Sequence, residues 1–177
     1  MDKLVMSKDR VVARFNPANH LLWKDDALCP LYLRRTENLD GWLASRAIDS
    51  HRPNSRLLKK ALHLTERDDV STVLSVHAVT VTDTYWVKDA DSDLRWEDVH
   101  FKKDSFSTLA LKGDYNSFVS AQASRKSHTQ ELTNIGSFEK CWRLRDGVWW
   151  LYKQADALEL FSEYFICLLG KRLGFHM

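Results

Sequence analysis

The pair Asp146-Gly147 stands between two apolar, aromatic-rich runs, Phe138 to Leu144 and Val148 to Lys153, and this punctuation constrains the chain more than any other feature. An Asp-Gly pair supplies the positive φ angles of a two-residue hairpin turn, so Arg145-Asp146-Gly147 predicts a tight reversal between antiparallel strands. From Ala157 to Leu173, Leu160, Phe161, Tyr164, Phe165, Leu168 and Leu169 recur at helical spacing. Lys171 and Arg172 near the end of that run complement the helix dipole, and Gly174 suits a left-handed cap. The expected order is strand, turn, strand, helix.

Upstream the elements are shorter. Val11 to Phe15 and Leu28 to Leu33 read as two strands, set off by Asn16-Pro17 and Asp25-Asp26. Leu39, Trp42 and Leu43 recur at helical spacing behind Thr36, a capping-type residue. A second helix begins at Asn54-Ser55 with Leu57, Leu58, Ala61 and Leu62 on one side, and a third begins at Asp68-Asp69 with Val70, Val73, Leu74 and His77. Thr80 to Lys88 reads as extended, Asp89 to Asp93 as a polar turn, and Phe106 to Leu111 as helical. Residues 113–134 are mostly polar and without clear period, which marks a junction. The expected fold class is α+β: an N-terminal leader or regulatory module of short strands and small helices over 1–112, a linker over 113–134, and a sheet-plus-helix unit over 135–177.

Composition excludes several function classes. With 44% hydrophobic and 28% charged residues among 177, the chain is expected to fold around a real core rather than stay disordered. A net charge of +2 is too mild to demand a nucleic-acid or membrane partner. Cys29, Cys141 and Cys167 lack zinc or disulfide spacing, the seven histidines show no HExxH-like spacing, and no metal site is expected. Met1 to Arg10 has no apolar signal region and no run reaches membrane-span length, so a soluble, cytoplasmic protein is expected.

The chemistry concentrates near the hairpin. A nucleotide-binding lobe needs a backbone-lined loop near the phosphates, a lysine on the following sheet to neutralise them, and an acid to orient that lysine. Thr133-Asn134-Ile135-Gly136-Ser137 is a small polar loop opening onto a strand, Lys153 closes the second strand, and Glu163 lies early in the next helix. A single glycine in the loop is a weak signal, and the Walker pattern is absent. Read alone, Lys153 is more often a solvated edge lysine, Glu163 a surface residue and Ser137 a turn residue.

Glu131 to Arg143, the strand ending Leu151-Tyr152-Lys153, and Phe161-Ser162-Glu163-Tyr164 resemble the start of the kinase region in HipA-like and CtkA-like serine/threonine kinases. Asn38-Leu39 to Arg46, then Asp83 to Val87, is similar to the leader of phage- or mobile-element-associated bacterial members of that group. The likeness covers nearly the whole chain through loose motifs. It implies transfer of the ATP γ-phosphate to a protein serine or threonine with magnesium, in bacterial toxin-antitoxin or stress settings. It places Gly136, Ser137 and Lys140 at the phosphate loop and its exit, makes Lys153 the ATP lysine, and makes Glu163 its ion-pair partner. The catalytic-loop and magnesium aspartates of such a kinase do not follow Glu163 here, so the sequence is expected to be a partial kinase N-lobe, with no catalytic residue of its own and weak or no ATP binding alone. A separate C-terminal lobe or a regulatory protein is the partner this implies.

A competing expectation is a DNA-binding or protein-docking module. Arg34, Arg35, Arg46, Arg52, Arg56, Lys59, Lys60 and Arg67 face only Glu37, Asp40, Asp49 and Glu66 in that stretch. Asp49 to Pro53 nevertheless lacks a recognition-helix signature.

Overall fold

The computed structural model describes residues 1–61, 64, 68–102, 110–111 and 129–175. Three strands open the chain, β1 (Lys3–Ser7), β2 (Arg10–Phe15) and β3 (Leu21–Lys24). Four helices follow, α1 (Leu31–Thr36), α2 (Leu39–Ala44), α3 (Ser55–Ala61) and α4 (Asp69–Leu74). Then come β4 (Tyr85–Asp89), α5 (Trp96–Val99), a 3-10 turn (Gln130–Thr133), β5 (Lys140–Arg145), β6 (Val148–Lys153) and α6 (Ala157–Arg172). The α+β class holds.

The first four strands form an antiparallel sheet in the order β3-β2-β1-β4. Neighbouring residues on a strand face opposite sides, and here both sides are covered. Val5 pairs with Val87 in one core, with Leu33, Leu39, Trp42, Leu43 and Val73 from α1, α2 and α4. Met6 pairs with Trp86 in the other, with Val99, Phe101 and Leu132. The register slips between Val5 and Met6, and the carbonyl of Val12, at that bulge, accepts from the Asp25 amide. A smaller core of Ile48, Leu58, Ala110 and Cys141 joins α3 to the β5–β6 hairpin.

The pattern-based expectations hold where local chemistry is strong. Asp146 and Gly147 adopt φ of 51° and 78°, the signature of the anticipated turn. The last helix runs as expected, capped by Asp156 at one end and followed by Gly174 at φ 82°. Asp68 caps α4 by accepting from the Ser71 amide at 2.8 Å.

Other expectations are corrected. Leu28 to Leu33 is not a strand: β3 at Leu21–Lys24 is the partner of β2, and α1 starts at Leu31. The Asp25 carboxylate gathers the amides of Ala27 and Leu28 into a turn. Pro30, lacking an amide proton, then opens the helix. The cap of α2 is Asn38, accepting from the Gly41 amide at 2.9 Å, whereas the Thr36 hydroxyl closes α1 on the Tyr32 carbonyl. His77 lies past α4 at φ 54°, and only Tyr85–Asp89 of the extended reading pairs in a sheet. Of Phe106 to Leu111, only Ala110 and Leu111 are described, both helical. Residues 113–128 and Arg67 lie outside the described residues.

Residues 129–134, read as the end of a linker, are buried. The Leu132 carbonyl accepts from the Ile48 amide at 2.8 Å, and the Thr133 hydroxyl donates to the Val79 carbonyl at 2.7 Å. Glu131, fully buried, accepts from the Trp142 amide at 2.9 Å and from the Asn134 side chain at 3.0 Å. A carboxylate thus satisfies an amide of β5 that β6 leaves outward. This segment fastens the hairpin to the leader module.

Candidate functional site

The loop after the 3-10 turn enters β5 at Lys140, and β6 returns antiparallel so that Lys153 stands directly opposite it. Two ammonium groups therefore share one end of the hairpin, which cross-strand pairing alone disfavours. Each is compensated differently.

Lys140 is nearly buried, and its Nζ donates to the Ile135 carbonyl at 2.8 Å. Burial lowers its pKa first, and the nearby Arg52 and Lys153 charges lower it further. Gly136 adopts φ 110°, and a Cβ built there would lie 2.2 Å from Lys140 Nζ, so the lysine threads beneath the loop through space a side chain would fill. Ser137 is exposed at the loop's end.

Lys153 is held by α6. Its Nζ donates to Glu163 at 2.7 Å and also to Glu159, and it lies 5.0 Å from the Phe138 ring centroid. The hydrogen bond to Glu159 raises its pKa most, followed by that to Glu163. Three residues between β6 and α6 permit this closure: Gln154 returns its amide to the Glu139 carbonyl at 2.7 Å, and Asp156 caps the helix through the Glu159 amide at 2.9 Å. The expected Lys153–Glu163 pair is present in the structure. Glu159 was not anticipated, although its position one turn before Glu163 on the same helix face signals it.

Beneath the hairpin sits Arg52, 1% exposed, donating to the Asn54 side chain at 2.7 Å and to the carbonyls of Ala110 and Lys140 at 2.9 and 2.7 Å. It joins α3's entry to β5 just below the lysine pair. The ammonium groups of Lys140 and Lys153 and the guanidinium of Arg52 are interleaved with the carboxylates of Asp49, Glu131, Glu139, Glu159 and Glu163, so an anion approaching the loop meets cations already shared with acids.

The basic stretch from Arg34 to Arg67 does not assemble as one solvent face. Arg46 is buried over the Trp42 ring and pairs with Asp83 at 2.8 Å, Lys59 is buried and pairs with Asp69 at 2.8 Å, and Arg52 is committed as above. Among its seven described cations, Arg46, Arg52 and Lys59 serve the interior. A cavity of about 430 Å³ lined by Met6, Asp9, Lys88, Ser92 and Arg95 shares no residue with the Lys153 cluster. Its lysine already donates to the Ser92 and Leu94 carbonyls.

Cys29 and Cys141 are buried and Cys167 partly so, all as free thiols. Among the described residues no group of His, Cys, Asp and Glu is arranged to hold a metal, and no helix is long and apolar enough to cross a membrane. Trp149 packs against the core while Trp150 is 56% exposed, as opposite faces of a strand require.

Compared with known protein families, curated proteins and solved structures, the chain matches none of them.

Proposed function

We propose that residues 135–177 form the phosphate-anchoring part of the amino-terminal lobe of a HipA-like serine/threonine kinase, with residues 1–112 as its regulatory leader. The observation that carries this reading is the 2.7 Å ion pair between Lys153, at the end of the second hairpin strand, and Glu163 on the helix that follows. In a kinase lobe that pair orients the lysine toward the nucleotide phosphates. Gly136, Ser137 and Lys140 supply the loop side: a glycine at φ 110°, an exposed hydroxyl, and a second ammonium beneath the backbone.

The surface of α6 suits packing against a second kinase lobe or a regulatory protein. Phe161, Tyr164, Phe165 and Ile166 are more than half exposed. Exposed aromatic and aliphatic side chains gathered on one helix in this number mark an interaction site. ATP would arrive with magnesium in the complete enzyme, and the aspartates that hold magnesium and position the acceptor hydroxyl in such kinases do not follow Glu163 in these 177 residues. Phosphoryl transfer needs those aspartates from a second lobe. ATP should bind weakly, because adenine is ordinarily enclosed from both lobes.

Calorimetric titration with ATP and magnesium tests the reading. Lys153→Ala should weaken binding by roughly tenfold or more, the worth of one charge-assisted hydrogen bond. Equal affinity in the two proteins would contradict it.

A further inference from the structure

The Lys153 ammonium has three protons to donate, and two are engaged by Glu159 and Glu163, successive carboxylates on one face of α6. The Phe138 ring lies over it as well. A phosphate reaching this lysine competes with both carboxylates for its charge. We propose that Glu159 is an internal competitor for phosphate: it holds Lys153 until a nucleotide arrives and is then displaced, leaving Glu163 to keep the lysine in position. This inference rests on the nucleotide reading of the site.

Two observations single out Glu159 rather than Glu163 as the group that yields. Its second oxygen, Oε2, is buried and has no hydrogen-bond partner, so the carboxylate carries a desolvation cost that rotation into water relieves. The side chain of Glu163 is 55% exposed and carries no such cost. Glu159 also stands in the first turn of α6, two residues into the helix and next to the Gln154–Asp156 connection, whereas Glu163 is a full turn deeper. The pair as a whole favours release of one member, because two carboxylates four residues apart repel each other unless a cation is shared between them. Once a phosphate draws on Lys153, the shared cation is diluted and the carboxylate with the unsatisfied oxygen leaves.

Glu159 on this account is a positioning residue that sets nucleotide affinity without contributing to the bound state. The test titrates MgATP into wild type, Glu159→Gln, Glu159→Ser, Glu163→Gln and Lys153→Ala by calorimetry, and follows the pH dependence of Lys153 acetylation by mass spectrometry. Both Glu159 substitutions should tighten MgATP several-fold and shift Lys153 acetylation to lower pH, while Glu163→Gln and Lys153→Ala weaken MgATP. Unchanged or weaker MgATP binding in both Glu159 variants, with binding still lost in Lys153→Ala, would overturn the competitor role and leave the nucleotide reading intact. Binding that is equal in wild type and Lys153→Ala, or absent from all five proteins, would overturn the nucleotide reading and this inference with it.

Discussion

The ammonium of Lys140 occupies the space into which a side chain on Gly136 would project, 2.2 Å from the ideal Cβ position. The lysine tip can swing aside, at the loss of its hydrogen bond to Ile135, but φ 110° at position 136 cannot be kept cheaply by an L-residue. Gly136→Ala should thus cost about 1–3 kcal/mol in chemical denaturation. Adding Lys140→Met removes the collision and leaves the backbone cost, so the double variant should recover only a minor part of the loss.

Arg46 binds Asp83 through two nitrogens at 2.9 and 2.8 Å and donates to the Ala78 carbonyl at 2.9 Å, all beneath the Trp42 ring. Removing it leaves the partly buried Asp83 charge uncompensated and the Ala78 carbonyl unsatisfied. Arg46→Met should destabilise by roughly 3 kcal/mol, read from the urea midpoint at unchanged slope. A loss below about 0.5 kcal/mol would indicate that the network is only a surface pair.

The two hairpin lysines should titrate in opposite directions from the ordinary value of 10.5. Lys140 is pushed down, by burial first, so between its lowered pKa and 10.5 the unfolded chain binds the extra proton and stability rises with pH across that window. Lys153 is pushed up, chiefly by Glu159, so its contribution is complete below 10.5 and is lost as pH rises through the raised pKa. Fluorescence-monitored denaturation from pH 8 to about 11 should show Lys140→Met flattening the rising limb and Lys153→Met removing the alkaline loss.

The apolar surface of α6 makes a prediction about solution behaviour. Phe161 and Phe165 stack with ring centroids 6.1 Å apart, and both are more than half exposed. Replacing them together by Lys should leave thermal stability within about 0.5 kcal/mol, because exposed positions carry little folding energy. The same change should sharply reduce binding of a hydrophobic dye. Undiminished dye binding would place the sticky surface elsewhere.

How legible this was from the sequence differs by element. The hairpin and α6 were readable because local chemistry alone specifies them: Asp146-Gly147 for the turn, and the apolar spacing from Leu160 to Leu169 with Gly174 at its end for the helix. Leu28 to Leu33 misled because its apolar residues suit a strand, while the turn at Asp25 and the proton-less Pro30 commit it to α1. The polar segment from Thr129 to Asn134 was unreadable as interior for another reason. Its partners, Ile48, Val79 and Trp142, are distant in sequence or on the next strand, and no periodicity encodes such hydrogen bonds. Within the site, Lys153 and Glu163 follow from order along the chain. Glu159 does not, because its role depends on where the short connection after β6 sets the first turn of α6.

The most direct measurement of the central claim is labelling with an ATP acyl-phosphate, which acylates whichever lysine lies against the bound phosphates, followed by peptide mass spectrometry. The account predicts modification concentrated on Lys153, with Lys140 second, and suppression by excess MgATP. Labelling spread over exposed surface lysines and unaffected by MgATP would contradict it.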